Sequence, residues 1–163
     1  MKSLLSALLL FMSIHIIKAQ NTLAKEIPDF TFYTLQGDEF KKSDLPTNTN
    51  IVFLLVDTSC PHCQKETELI SRNYSKFEDV NLFIVSLDTK EAVVEFMETY
   101  ARELNNQPNV QVLLDTKPEF IEKFRPEKYP ALFVYSPSQK LIKHLGGRKK
   151  LKEIQKATHL QLP

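Results

Sequence analysis

Ile51-Val52-Phe53-Leu54-Leu55-Val56-Asp57-Thr58-Ser59-Cys60-Pro61-His62-Cys63 is the stretch on which the fold turns. Its first six residues form an unbroken apolar run, short and rich in β-branched side chains. Such a run predicts a strand covered on both faces. Pro61 then falls where a helix would begin, a position that suits proline because the first N–H groups of a helix have no partner within it. Leu69, Ile70, Tyr74 and Phe77 recur at helical spacing, with Lys65, Glu66, Glu68 and Arg72 between them. That pattern predicts an amphipathic helix. Both cysteines of the chain therefore sit at the junction of a buried strand and a helix.

The junction carries chemistry. Two cysteines three residues apart can close a small disulfide ring. The first thiol lies at the helix N-terminus, where unpaired N–H groups and the peptide dipoles favour an anion. The thiolate is the reactive form, so Cys60 reads as the nucleophile. Cys63, one turn further in, reads as the thiol that clears a mixed disulfide. His62 between them could favour the Cys60 thiolate through its imidazole, or stand as a surface side chain. Glu66, three residues after Cys63, could move a proton at Cys63. It could also only complement the helix dipole. A purely structural bridge across so short a loop would gain little chain entropy.

Outward from the motif, the chain alternates. Upstream, Phe30, Phe32 and Leu35 with Phe40 predict a short hairpin turning at Gln36-Gly37-Asp38. Downstream, the spacing predicts a strand from Asn81 to Leu87 and a helix from Glu91 to Leu104 with Val93, Val94, Met97 and Ala101 as its apolar stripe. A strand from Val110 to Leu114 and a short helix from Pro118 to Phe124 follow. Strands from Ala131 to Tyr135 and from Leu141 to Leu145 come next, and an amphipathic helix from Leu151 to Leu160 closes the chain. This order implies an α/β fold with a central mixed sheet, helices on both faces and an N-terminal β-hairpin extension. Tyr129-Pro130, directly ahead of a predicted strand, stands out among nine prolines.

The N-terminus has another character. Lys2 precedes an apolar run from Leu4 to Ile17, and Lys18-Ala19-Gln20 follows it. A positive start, a short apolar centre and a small-residue boundary are the anatomy of a secretory signal peptide. The run falls short of the roughly 20 residues that span a bilayer. Residues 1–19 are expected to be the signal and residues 20–163 one domain, with an uncleaved membrane anchor as the alternative. Removing Lys2 and Lys18 takes the formal charge from +1 to −1. A balance so near neutral favours neither nucleic acid nor an anionic membrane as a partner. Two cysteines are too few for a disulfide framework or a pair of zinc knuckles.

Taken together, these features resemble the thioredoxin superfamily, in particular its exported TlpA/ResA-like branch, which borders the AhpC/TSA redoxin group. The resemblance runs from Ile27 to Leu160. It rests on Ile27-Pro28-Asp29-Phe30, the hairpin with Gly37, Ser43-Asp44-Leu45, the strand into Cys60-Pro61-His62-Cys63, Glu66, Tyr129-Pro130-Ala131-Leu132-Phe133-Val134 and Gly146. The tetrad itself is similar to that of DsbA-type oxidants. The resemblance implies a thioredoxin fold, attack by Cys60 on substrate disulfides, and a cis Pro130 facing the cysteine pair. Tyr129 would then offer its backbone to an extended substrate. Three positions depart from the pattern. Ser59 stands where the family usually has Trp, and Leu54 stands where thioredoxins bury an acid, with Asp57 no obvious substitute. The peroxidatic pattern would need Pro at Phe53 and Thr at Asp57.

The expected activity is thiol–disulfide exchange with protein thiols outside the cytoplasm, in the periplasm or an equivalent compartment, regenerated by a redox partner protein. No cofactor is needed, because the cysteine pair carries the electrons. Thiol peroxidase activity is the enzymatic alternative. Copper binding through Cys60, Cys63 and His62 is the non-enzymatic one; His144 and His159 read as lone surface residues.

Overall fold

The structure is a computed structural model that describes residues 22–160. The expected signal segment, residues 1–19, lies outside the described residues. The strands are β1 (Thr31–Thr34), β2 (Glu39–Lys41), β3 (Ile51–Val56), β4 (Asn81–Ser86), β5 (Val110–Leu114), β6 (Ala131–Tyr135) and β7 (Leu141–Gly146). The helices are α1 (Pro61–Ser71), α2 (Lys90–Tyr100), α3 (Glu119–Phe124) and α4 (Leu151–Thr158). One sheet holds the strands in the order β2-β1-β5-β4-β3-β6-β7. β3 pairs parallel with β4, and β4 with β5, whereas β6, β7 and the β1–β2 hairpin join antiparallel. The sheet is therefore mixed, as the order of elements implied.

The strand alternation explains why β3 has no polar residue. Val52, Leu54 and Val56 enter a core beneath α1, α2 and α4, which contribute Ile70, Met97 and Ile154 among others. Ile51, Phe53 and Leu55 point the other way, into a second core with Phe120 and Phe124 of α3 and Phe32 of the hairpin. Successive side chains on a strand face opposite sides, so a central strand covered twice must be apolar throughout. The second core is aromatic. Phe53 meets Phe30, Phe120, Phe124 and Tyr135 edge-on, at centroid distances of 5.8, 6.0, 5.3 and 6.2 Å. Edge-on contact suits the ring quadrupoles.

α4 ends two residues before the predicted Leu160, and α1 and α2 stop a full turn or more short of what their apolar spacing predicted. α1 stops at Ser71, and Tyr74 lies in a separate 3-10 turn that ends at Phe77. Asn73 causes the break, its side-chain amide donating to the Leu69 carbonyl at 2.8 Å. A side chain that supplies a backbone bond in this way competes with helix continuation. α2 stops at Tyr100, and residues Arg102–Leu104 form another 3-10 turn. Its buried stripe is Val93, Phe96 and Met97, with Val94 only half buried. Tyr74 and Phe77 beyond α1, and Ala101 and Leu104 beyond α2, still face the core, which is why the spacing looked continuous.

Candidate active site

The C-terminal end of β3 delivers the motif. Asp57 turns the chain: its carbonyl accepts from Cys60 N–H at 3.1 Å, and its carboxylate accepts from Ser59 N–H and Oγ–H at 2.8 and 2.7 Å. Asp88, just past β4, accepts from Thr58 N–H at 2.8 Å. Cys60 is the N-cap of α1, and its carbonyl accepts the first helical bond, from Gln64 N–H, at 3.1 Å. Neither acid was singled out as a site residue from sequence. Each fixes the turn through backbone N–H groups, a role without a spacing signature.

Helix geometry separates the two thiols. Cys60 is half-buried at the helix start, and Cys63 is fully buried one turn inside. Burial pushes the Cys63 thiol up to about 12; the Asp57 backbone amide opposes this and the Cys60 side chain adds to it. Glu66 lies three residues on, on the same buried face, and is 1% exposed. Residues three apart in a helix are neighbours. Burial raises the Glu66 carboxyl to about 7, offset by the backbone amide of Lys149 and the charges of Lys149 and Arg148, while Glu153 raises it further. His62 is exposed in the first turn of the helix.

The other wall comes from β6. In the β3–β6 register Leu55 faces Ala131, so the residues ahead of β6 lie at the end of β3 that bears the motif. The Tyr129–Pro130 bond is cis. Pro130 is buried, and its carbonyl accepts from Gly147 N–H at 2.8 Å. Tyr129 packs against both cores. Its hydroxyl is pushed up first by burial, then by the charges of Asp57, Cys63, Asp88 and Asp115. The structure thus gathers Cys60, Cys63, Glu66, Tyr129 and Pro130 at one end of the sheet, with His62 at their margin.

A groove of about 250 Å³ opens beside Thr58 and Ser59, against Phe96 and Tyr100 of α2. A larger cavity, about 720 Å³, lies at the opposite end of the sheet, between Asn50, Asp79, Ser136 and His159. It is remote from the thiols and takes no part in their chemistry. The expectation that His144 is a surface residue is corrected. Its ring packs 4.5 Å from Phe133, its Nε2 is buried without a partner, and burial lowers its pKa. The β6–β7 ladder sets it opposite Phe133, and that ring covers one side of it. His159 is exposed, 3.0 Å from Asp79. Among the described residues no three His, Cys, Asp or Glu side chains gather as a metal site.

The sequence pattern of the AhpC/TSA family matches residues 23–144, from the approach to the hairpin through to β7. The chain belongs to the AhpC/TSA family. Within that frame it is 26% identical over 125 residues to the thiol–disulfide oxidoreductase ResA of Bacillus subtilis, a match covering 75% of this chain and 66% of that one. Two solved structures show the shared thioredoxin-like fold. One is a secreted Mycobacterium tuberculosis disulfide oxidoreductase homologous to E. coli DsbE, at 19% identity and TM-score 0.65, covering 79% of this chain and 93% of that one. The other is the peroxiredoxin 6 of Arenicola marina, at 19% identity and TM-score 0.67, covering 82% and 70%. The fold is thus shared by a disulfide oxidoreductase and a peroxiredoxin.

Proposed function

We propose that this chain is a thiol–disulfide oxidoreductase acting on protein thiols and disulfides. One observation carries the reading: an accessible Cys60 caps α1 while Cys63 and Glu66 lie buried behind it on one face. In the reducing direction Cys60 thiolate attacks a substrate disulfide. The substrate S–S bond breaks, one sulfur joins Cys60, and the other leaves as a thiolate that takes a proton from solvent. Cys63 then gives its proton to the Glu66 carboxylate and attacks Cys60. The Cys60–Cys63 bond forms, the mixed disulfide breaks, and the substrate departs with two electrons from the pair. The oxidising direction runs the same steps backward, and a redox partner protein resets the pair in either case. Glu66 supplies the carboxylate that Leu54 does not.

Tyr129, at the rim ahead of the buried Pro130, offers its backbone to an extended substrate as an added strand would. Pro130 has no N–H and is a poor metal ligand, which suits a position beside two thiols. His62, exposed next to Cys60, supports the thiolate by its N–H or its charge. The peroxidase reading lacks its proline and threonine, at Phe53 and Asp57.

The test compares two assays on the reduced protein. Dithiothreitol-driven insulin reduction is expected to proceed, and hydrogen peroxide consumption to stay at the level of the Cys60→Ser variant. Fast peroxide consumption with no insulin reduction would overturn the reading. A glutathione buffer series gives the reduction potential of the pair, and with it the physiological direction.

Export of the domain from residue 20 onward, by removal of residues 1–19, belongs to the same proposal. It is supported by the Lys2 and Leu4 to Ile17 pattern and by the secreted structural neighbour. Intact mass of the exported protein is expected to give a start near Gln20. Full-length chain confined to the membrane fraction would show an anchor instead.

A further inference from the structure

β7 ends at Gly146, and Gly147-Arg148-Lys149 run on to α4 as a strap that touches both walls of the site. Gly147 has φ +71°, a left-handed conformation that side-chain-bearing residues adopt rarely. Its N–H holds the Pro130 carbonyl at 2.8 Å. Two residues on, Lys149 N–H donates to Glu66 Oε2 at 2.5 Å. The same lysine folds back on the strap, its Nζ donating to the Gly146 and Gly147 carbonyls at 2.6 and 3.0 Å. Lys149 is half-buried, unlike its exposed neighbours Arg148 and Lys150. A lysine in a solvated surface run has no reason to satisfy two backbone carbonyls while its amide meets a buried acid.

We propose that Lys149 is a positioning residue for the proton step at Cys63: its ammonium gathers the Gly146 and Gly147 carbonyls into a closed turn that aims its own amide at Glu66 and sets a positive charge beside that carboxylate. This rests on the reading of Glu66 as the group that takes the Cys63 proton. The groups facing Glu66 are few. The strap presents the Lys149 amide and ammonium and the Arg148 guanidinium, and α4 presents Glu153, which opposes them. Burial favours the neutral acid, and the strap restores the carboxylate in part. A carboxyl that titrates near neutrality can both take and return a proton, which is the best condition for a general acid–base group. Removing the ammonium leaves burial and Glu153 less opposed, so the carboxyl moves up. The strap also joins Glu66 to Pro130, so one segment holds the proton acceptor and the substrate-facing wall in register.

The experiment follows reduced full-length mature protein mixed with 5,5′-dithiobis(2-nitrobenzoate) from pH 5 to 9. Cys60 attack releases one thionitrobenzoate, and Cys63 attack on the resulting mixed disulfide releases the second. Carboxyl ¹³C NMR titrates Glu66 in parallel. In Lys149→Met the Glu66 titration and the inflection of the second phase are expected to move up together by about one pH unit. At pH 7 the second phase should then slow about fivefold, because the ionised fraction falls accordingly. Lys149→Arg should restore both. Lys149→Gln, which can still bond the carbonyls, separates charge from turn geometry and serves if the Met variant fails to fold. An unmoved Glu66 titration in both neutral variants, with the inflection still abolished by Glu66→Gln, would overturn the role of Lys149 and leave that of Glu66 standing. An inflection that survives Glu66→Gln would overturn the Glu66 reading, and this proposal with it.

Discussion

Cys60→Ser is expected to abolish disulfide exchange, with insulin reduction falling at least ~10³-fold, whereas Cys63→Ser should still complete the first half of the reaction. A serine hydroxyl is no nucleophile toward a disulfide at neutral pH, and nothing else at the site replaces the accessible sulfur. Cys63 cannot substitute for it. Cys63 is fully buried, and burial pushes its thiol up to about 12. At pH 7 only about one molecule in 10⁵ would carry a Cys63 thiolate. Cys63→Ser should therefore accumulate a mixed disulfide on Cys60, visible as a mass adduct after acid quench. Iodoacetamide at pH 6 should label Cys60 in the reduced wild-type protein well before Cys63, as peptide mapping would show. Labelling in the opposite order, or retention of more than a tenth of the turnover by Cys60→Ser, would reverse the assigned roles.

Glu66→Gln is expected to make the protein more stable at high pH and less able to resolve a mixed disulfide. Burial raises the Glu66 carboxyl from 4.5 to about 7 in the folded state. The folded protein therefore binds this proton more tightly than the unfolded chain does. Stability is full below about pH 4.5, falls as the pH climbs toward 7, and is flat above that. The loss amounts to about 3.5 kcal/mol at most, since each pH unit of difference between the two states is worth about 1.4 kcal/mol. Glutamine stays neutral throughout, fits the same space and can accept the Lys149 N–H through its carbonyl. Urea unfolding of the reduced proteins should find the variant and wild type close at pH 4.5 and the variant about 2–3 kcal/mol more stable at pH 8. An equal difference at both pH values would show that Glu66 does not titrate in this range. The functional cost should be about 10²-fold in the Cys63 step, the usual worth of a positioned general base. A buried carboxylate that lowers stability and serves the chemistry is the trade expected at an active site.

The sequence by itself determined the frame. Period-two and period-3.6 patterns mark what each element buries, and they located β3, β4, β6 and α1 because those elements bury whole faces. The motif was legible for the same reason. An apolar run ending in Cys60-Pro61 puts a thiol on a helix N-cap by local geometry alone, and the cysteine at position 63 then lies inside. Helix ends were less legible at Asn73 and Ala101, where side-chain and 3-10 bonds interrupt an apolar spacing that continues. What only the tertiary structure decided is the state of the groups around the pair. From sequence Glu66 could equally have been a solvated first-turn acid; packing against the strap after β7 makes it a buried carboxyl near neutrality. His144 likewise passed for a surface residue until the β6–β7 ladder placed it on Phe133. Lys149 gave no local signal, because its meaning lies in an amide that meets a residue 83 positions earlier in the chain. Burial and charge at a point depend on segments that only the folded sheet brings together, and those two quantities set a proton's affinity.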